Sequence, residues 1–251
     1  MLATSELHVR YAHARDSEAI AKLEREGYTG HGTDIYNISY PITWLQVHPE
    51  GLLVTEKGGN IVAYLYAQRR TIGKDRFKDL ELYTSDEKDT DHGYTRTTHV
   101  PNGNALHIVS VLSAQKGSAR AMNLFLLNEA RKKRTIRSIF ACSRLPGFRA
   151  YTQTIVDPKR GATPDEYYLM AVWYCRETAR LTGGTVLPPF PLAQIKWKPL
   201  TVADPVAASY FKSGFALSNL KQEWLKDPAS AGFLSPEGTY GFGAMMVLDV
   251  S

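Results

Sequence analysis

Residues 108–127 constrain the fold more than any other part of the sequence. They read IVSVLSAQKGSARAMNLFLL: an apolar, β-branched run, a short polar segment with one glycine, and a long segment with a broad apolar face. This order predicts a buried strand at 105–112 that turns directly into a helix packed on a sheet. A strand that leads into a helix in this way is typical of an α/β domain.

The turn between this strand and helix is a candidate anion site. Small residues let the backbone approach a phosphate closely, and a helix start offers unpaired N–H groups and the positive end of its dipole. Many helices begin this way, so a plain strand-to-helix turn is the alternative. The segment is neither a Walker A loop nor a dinucleotide fingerprint with three glycines.

Further strand and helix patterns surround this stretch. Predicted strands are 7–12, 52–56, 61–70, 138–142, 215–220 and 241–248, and predicted helices are 17–26, 39–48, 164–181 and 204–213. Asp16 and Thr163 are expected as N-caps, and residues 57–60 as a tight hairpin turn. The length of 251 residues favours one enlarged domain, 1–251.

Two irregular segments interrupt these elements. Residues 71–104 turn polar and are expected to be an insertion, and 183–201 are expected to be a stiff, proline-rich connector. The insertion contains five potential metal ligands: Asp86, Glu87, Asp89, Asp91 and His92. They lack the fixed pattern of a hard-metal loop, so a solvated loop without metal is expected.

The charge of the chain suits a polyanionic partner without identifying it. The net charge of +5 fits nucleic acid, a membrane surface or cofactor phosphates. The densest basic run, RKKRTIR at 131–137, falls where the long helix should end, which favours a solvated helix terminus over a nucleic-acid patch.

The sequence also predicts a cellular setting. It has no long apolar stretch and no signal-peptide pattern, and Cys142 and Cys175 are too few for a disulfide framework. A cytoplasmic protein with no membrane partner is expected.

The strand–turn–helix stretch resembles the CoA-binding motif of the GNAT superfamily of N-acyltransferases, V-x-P-x-x-R-G-x-G-x-G/A. The residues in its order and spacing are Val111, Ser113, Lys116, Gly117, Ala119 and Ala121. Ser113 replaces the proline of the motif, Lys116 its arginine, and Ala119 its central glycine. Lysine keeps the charge and alanine stays small, so diphosphate binding remains feasible with less backbone freedom.

A second match lies later in the chain. Residues 210–215, YFKSGF, resemble the Y-x-x-x-G-F signature of the same superfamily. Residues 141–148, with Asp204-Pro205, Asp227-Pro228 and Ser230, look like GNAT domains fused to carbon-nitrogen hydrolases, although no hydrolase portion is present here. The resemblance is loose over 7–70 and better over 105–248.

The resemblance implies an α/β (α+β) fold with a mixed, mostly antiparallel central sheet flanked by helices. It implies direct transfer from an acyl-CoA, with acetyl-CoA the expected donor, to an amine in a ternary complex without a metal. A backbone N–H of 109–111 would polarise the carbonyl, and Tyr210 would protonate the departing thiolate. The cofactor-binding residues implied are Val109, Val111, Lys116, Gly117, Ser118, Ala119, Arg120 and Ala121.

Several roles stay open at this point. The general base is His107, Glu81 or an ordered water, although a strand histidine is more often a hydrogen-bonded core residue. Cys142 is expected to be structural, since nothing pairs it with a histidine. The acceptor is not identified, a homodimer is left open, and the alternative functions are a non-catalytic acyl-CoA-binding module and a nucleic-acid binder.

Overall fold

The computed structural model describes residues 6–27, 37–73, 90–91, 93–143, 145, 147–157, 161–187, 197–221 and 243–250. The chain forms two compact units. The first comprises Met1–Arg76, Ser85–Phe140 and Asp249–Ser251, and the second comprises Phe77–Thr84 and Ala141–Leu248. The expectation of a single domain, 1–251, stays a prediction, as do the roles given to 71–104 and 183–201 as insertion and connector.

The first unit contains an antiparallel run of strands. Its members are β1 (His8–Tyr11), β2 (Leu52–Lys57), β3 (Asn60–Arg70) and β4 (Ala105–Ser113), each paired antiparallel with the next. The predicted hairpin turn joins β2 to β3, and both of its glycines have positive φ, +57° at Gly58 and +81° at Gly59. β5 (Ser138–Ser143) begins in this unit.

Three helices of this unit follow the predicted apolar patterns. They are α1 (Ser17–Gly27), α2 (Ser39–Val47) and α3 (Ser118–Lys132). On one face of the sheet, Ile20 and Leu23 of α1 and Trp44 of α2 share a buried cluster with Tyr64 and Tyr66 of β3.

α3 packs on the other face of this sheet. Tyr11 of β1 stands opposite Leu53, which alternates with the clustered Leu52 and Val54 and so points away from them. The Tyr11 ring contacts Phe125 of α3 at 5.5 Å between centroids. The strands of this unit are therefore covered on both faces.

Asp16 is not the helix cap that the sequence predicts. A 3₁₀ turn, Ala14–Asp16, precedes α1, and the Asp16 carboxylate accepts the Arg10 guanidinium at 2.7 and 3.0 Å. Glu56 of β2 also accepts from Arg10. The guanidinium lowers the pKa of the Asp16 carboxyl, although burial opposes it. The carboxylate also accepts from His13 N at 2.8 Å, so Asp16 closes the 3₁₀ turn and binds Arg10 instead of capping α1.

The basic run 131–137 lies at the C-terminal end of α3, as predicted. Lys132 pairs with Glu129, and Lys133 pairs with Glu50. Cations at this end complement the helix dipole, so part of the run has a structural explanation.

The second unit contains three helices and short strands. The helices are α4 (Phe148–Gln153), α5 (Pro164–Thr182) and α6 (Pro205–Phe211), and the strands are β6 (Thr185–Val186), β7 (Ala216–Lys221) and most of β8 (Gly243–Asp249). β6 pairs parallel with β7, and β7 pairs antiparallel with β8. Thr163 caps α5 as predicted, its side chain accepting from Glu166 N.

These pairings confirm the predicted class: helices flank strands whose described pairs are mostly antiparallel, while β6 and β7 pair in parallel. α4 and β6 have no counterpart in the sequence prediction because both are too short for a periodic pattern. Among the described helices, none combines the length and apolar character needed to cross a membrane.

Candidate functional site

The turn between β4 and α3 is tied to its surroundings by hydrogen bonds. Ser113 Oγ donates to the Gln115 carbonyl at 2.7 Å, and Ala114 N donates to the Val62 carbonyl of β3 at 3.0 Å. Lys57, at the end of β2, donates from Nζ to Gln115 Oε1 at 3.1 Å. The turn therefore has a defined shape before any ligand arrives, as a preorganised site requires.

Gly117 is the residue immediately before α3. Its backbone has φ +92° and ψ −17°, a conformation that L residues rarely adopt. A Cβ there would meet Leu7 Cδ1 at 3.7 Å, an ordinary contact. The glycine is therefore required by backbone conformation and not by lack of space.

The first turn of α3 offers hydrogen-bond donors to a ligand. Ser118 N donates to the Gln115 carbonyl at 3.1 Å, and Ala121 N donates to the Gly117 carbonyl at 3.0 Å. Within the described parts of the chain, the N–H groups of Ala119 and Arg120 donate to no backbone carbonyl outside the helix. Two adjacent donors at the positive end of a helix of 15 residues are groups that could bind an anion, as the sequence predicts.

Charged side chains stand beside these donors. Lys116 and Arg120 are exposed, whereas Ser118 is buried and its hydroxyl points into the protein. The predicted cofactor residues 116–121 are thus brought into one turn, where the backbone of Ala119 and Arg120 supplies the donors and two side chains supply positive charge. The individual contacts with CoA stay predictions.

A β-bulge interrupts the pairing of β4 just before this turn. Tyr66 pairs with Ser110 and Ala67 pairs with Ile108, so Val109 has no partner on β3. Val111 is back in register, opposite Leu65. A bulge redirects backbone groups and often lies beside an active site. The distortion falls within 109–111, where the sequence predicts a backbone donor to the thioester carbonyl.

Two tyrosines of β3 present hydroxyl groups on the α1–α2 face of the sheet. Tyr64 Oη lies 2.7 Å from Ser110 Oγ, and Tyr66 Oη lies 2.8 Å from Thr95 Oγ1. The alternation of 64–66, YLY, indicates that both rings share one face. The partners of the two tyrosines are distant in sequence, so no local pattern could have identified these two hydrogen bonds.

His107 lies in a closed environment. Gln68 Oε1 accepts from Thr98 Oγ1 at 2.8 Å, so the amide Nε2 of Gln68 donates to His107 Nδ1 at 3.2 Å. The imidazole stacks on Phe140 with 4.9 Å between centroids. Burial lowers the pKa of His107 to about 3, which makes the neutral ring a weak base. These contacts favour a structural role, and a catalytic role for His107 stays a prediction.

Tyr210 lies in the second unit near the end of α6. Its side chain is buried, and its ring meets Phe215 edge to face at 5.1 Å. Phe215 N donates to the Tyr210 carbonyl at 3.1 Å, and Gly214 supplies φ +91°. The Y-x-x-x-G-F pattern is thus also a helix-ending turn. The role of Tyr210 as general acid stays a prediction.

Asp204 is the centre of a buried network in the second unit. Its carboxylate caps α6 by accepting from Val206 N and Ala207 N, and it also accepts from Gly147 N at 3.1 Å and Tyr174 Oη at 3.0 Å. Burial raises the pKa of the Asp204 carboxyl, and these hydrogen bonds oppose that rise. The network joins Gly147 to Asp204, two positions that carry the sequence resemblance.

The remaining sequence candidates contribute less. Cys142 is half-buried and Cys175 is buried, neither forms a disulfide, and burial raises the pKa of Cys175. Glu81 and the candidate ligands Asp86, Glu87, Asp89 and His92 lie outside the described residues, as do Asp227, Pro228 and Ser230. In the described ranges, no group of three or more His, Cys, Asp or Glu side chains could hold a metal ion.

Known protein families and curated proteins give no match to this sequence. Solved structures do match. A GNAT-like decarboxylase, GphF, in complex with isobutyryl-CoA has 18% identity and a TM-score of 0.61, over 97% of this chain and 100% of that one. The loading GNATL domain of CurA from Lyngbya majuscula has 14% identity and a TM-score of 0.58, over 98% of each chain.

Proposed function

We propose that this chain, which has the fold of the GNAT superfamily, transfers an acyl group from CoA to an amine. Acetyl-CoA is the simplest donor. The observation that carries the proposal is the pair of available N–H groups at Ala119 and Arg120, beside the positive-φ Gly117 and the Lys116 side chain. This arrangement suits the diphosphate of CoA. The isobutyryl-CoA bound to the similar GphF decarboxylase supports the same ligand class.

The reaction would proceed in one ternary complex. A neutral amine nitrogen attacks the thioester carbonyl carbon, the C–N bond forms, and the C–S bond breaks. A backbone N–H near the bulge at Val109 would stabilise the developing oxyanion, and one such donor is worth about 3 kcal/mol. The leaving thiolate takes a proton, for which Tyr210 is the proposed acid.

Calorimetry with CoA and acetyl-CoA tests the first half of this proposal. We expect binding of both, and a variant with Lys116→Glu should bind more weakly. Release of CoA thiol in the presence of an amine panel (amino acids, polyamines, aminoglycosides and a lysine peptide) tests the second half. CoA binding without thiol release for every amine would favour the non-catalytic acyl-CoA-binding module. An absence of CoA binding would exclude both the acyltransferase and the binding module.

Tyr210→Phe tests the general acid. Loss of a general acid should lower turnover by about 100-fold while the affinity for CoA holds. Tyr168→Phe is the control, because this half-buried tyrosine of α5 lies outside both motifs. Equal turnover in the two variants would refute the role of Tyr210.

Decarboxylation of a carboxyacyl-CoA is a second candidate function. It is favoured by the similarity to the GphF decarboxylase over 97% of this chain and 100% of that one. In this reaction the C–C bond to the carboxylate breaks, CO₂ leaves, and the resulting carbanion takes a proton from water. Malonyl-CoA is the probe: formation of acetyl-CoA without an amine would support decarboxylation, and unchanged malonyl-CoA would count against it.

A further inference from the structure

Ser110 carries a hydroxyl group at the bulge of β4, and the reactions described above give it no role. Tyr66 pairs with Ser110 and Ala67 pairs with Ile108, so Ser110 follows the unpaired Val109 directly. β4 is buried from its start to Ile108 and only half-buried over the next four residues. The strand therefore becomes accessible at the point where its backbone is distorted.

The Ser110 side chain lies on the α1–α2 face of the sheet. Tyr64 stands opposite Leu112 and Tyr66 stands opposite Ser110, and directly paired residues share a face. Val109 and Leu112 pack against the buried cluster that contains both tyrosines. Neighbouring strand residues normally point to opposite faces, so the bulge has brought Val109 and Ser110 onto the same one.

The hydroxyl group of Ser110 bonds to that of Tyr64. Their oxygens are 2.7 Å apart, and among the described residues neither hydroxyl has another hydrogen-bond partner. Tyr64 is fully buried, with its ring 5.9 Å from that of Trp44. A buried phenol needs an acceptor for its proton, and a phenol is a stronger donor than an alcohol. Tyr64 therefore donates to Ser110, which leaves the Ser110 proton for a second hydrogen bond.

The bond from Tyr64 makes Ser110 a better donor. A hydroxyl that accepts one hydrogen bond is polarised, which strengthens the bond it donates by about 10–30%. Only Cα and Cβ separate this hydroxyl from the Ser110 backbone nitrogen, and the backbone donor to the thioester carbonyl is expected within 109–111. A carbonyl oxygen held by that backbone donor is within reach of the side-chain proton.

Tyr66 forms a similar hydrogen bond that leads away from the bulge. Its hydroxyl lies 2.8 Å from Thr95 Oγ1, and both residues are 0% exposed. Thr95 belongs to the segment between β3 and β4 and not to β4 itself. The two tyrosines thus have the same chemistry on the same face, but only Tyr64 reaches a partly accessible hydroxyl beside Val109.

We propose that the Ser110 hydroxyl donates a hydrogen bond to the thioester carbonyl oxygen. Together with a backbone N–H of 109–111, it forms an oxyanion site with two donors. Tyr64 is a positioning residue, because it orients the hydroxyl without touching the substrate. The inference rests on the proposed binding of an acyl-CoA at this bulge.

The same oxygen carries the negative charge in both candidate reactions. In acyl transfer the amine nitrogen bonds to the carbonyl carbon, and the C=O electron pair moves to the oxygen. That pair returns as the C–S bond breaks, and the thiolate takes a proton. In decarboxylation the electron pair of the breaking C–C bond produces an enolate, CO₂ leaves, and the enolate carbon takes a proton from water. Ser110 keeps its own proton throughout.

The test measures kcat in the full chain, for whichever of the two reactions the wild-type protein catalyses. Loss of one oxyanion donor lowers kcat by about 100-fold or more, so we expect that loss in Ser110→Ala. Its affinity for CoA, which has no thioester carbonyl, should stay within twofold of wild type. Ser110→Thr keeps a hydroxyl on a residue that strands accept, and its kcat should exceed that of Ser110→Ala by about tenfold.

Two tyrosine variants separate positioning from stability. Tyr64→Phe and Tyr66→Phe each remove one phenol hydroxyl from the same strand face, so both should lose similar stability in urea unfolding. Tyr64→Phe leaves Ser110 without its orienting partner, and we expect kcat to fall by about tenfold. Tyr66→Phe should keep kcat within threefold of wild type.

A kcat within threefold of wild type in folded Ser110→Ala would overturn the inference. If Ser110→Ala does not fold, the tyrosine variants decide, and equal kcat values in Tyr64→Phe and Tyr66→Phe would refute it. If the wild-type protein neither acylates an amine nor decarboxylates malonyl-CoA, the proposed function itself fails. That outcome is distinct from an active wild type with an equally active Ser110→Ala.

Discussion

Replacement of Gly117 by alanine tests whether the start of α3 is the CoA site. The backbone at Gly117 has φ +92°, and the left-handed region costs an L residue about 1–2 kcal/mol. The added methyl group would lie 3.7 Å from Leu7 Cδ1, so no steric clash adds to this strain. If the exposed turn relaxes to escape the strain, CoA must restore its shape on binding. Because 1.4 kcal/mol is a tenfold change, we expect affinity for CoA to fall by about 5–30-fold.

Gly59→Ala is the matched control. Gly59 has φ +81° in the β2–β3 hairpin, and a Cβ there would meet nothing within 4 Å. It should lose stability by a similar amount without any change in CoA affinity. Urea unfolding measures the stability of both variants, and calorimetry measures the dissociation constant of CoA. Unchanged CoA affinity in folded Gly117→Ala would refute the assignment of this turn as the CoA site.

Three further predictions follow from the described contacts. Asp204→Ala removes the cap of α6 and leaves buried donors without an acceptor, so it should lower the free energy of unfolding by about 4 kcal/mol. Tyr174→Phe removes one hydrogen bond of the same network and should lower it by about 1.5 kcal/mol. Equal losses for the two variants in urea unfolding would contradict the network. The folded pKa of His107, about 3, lies below its usual value, so the unfolded state binds more protons below about pH 6.5. Stability should therefore fall as pH drops toward 3, and less so in His107→Gln; the same slope in both proteins would contradict the burial effect. Lys116→Glu should weaken CoA binding by about tenfold at low salt and by less at 1 M salt, where charges are screened. Lys132→Glu, at the other end of α3, is the control. If it weakened CoA binding equally, the effect would come from the charge of the whole protein and not from a local site.

Much of the geometry of the β4–α3 turn, the proposed CoA site, could be predicted because its parts are consecutive in the chain. The apolar run of β4, the glycine before α3 and the apolar face of α3 are each determined by neighbouring residues. Helical and strand periodicity, turn chemistry and the αL preference of glycine all act over a few positions. The same locality explains the success at the β2–β3 hairpin and at the Thr163 cap.

The incorrect predictions concern side chains whose contacts are set by folding and not by the local pattern. Asp16 has the residue type and position of a helix cap, but Arg10 of β1 binds its carboxylate instead. His107 has the usual chemistry of a base, but its pKa depends on burial, which only packing determines.

The sequence alone thus determined most of the segments that become strand or helix, α4 and β6 excepted, and where a phosphate-sized anion could meet a helix start. Tertiary structure decided the bulge at Val109, the burial of Asp204 and the hydrogen bond that Gly147 N donates to it. The physical reason is the separation in sequence over which each effect acts. Backbone preferences are set by adjacent residues, whereas the charge state and reach of a side chain depend on what folding packs around it.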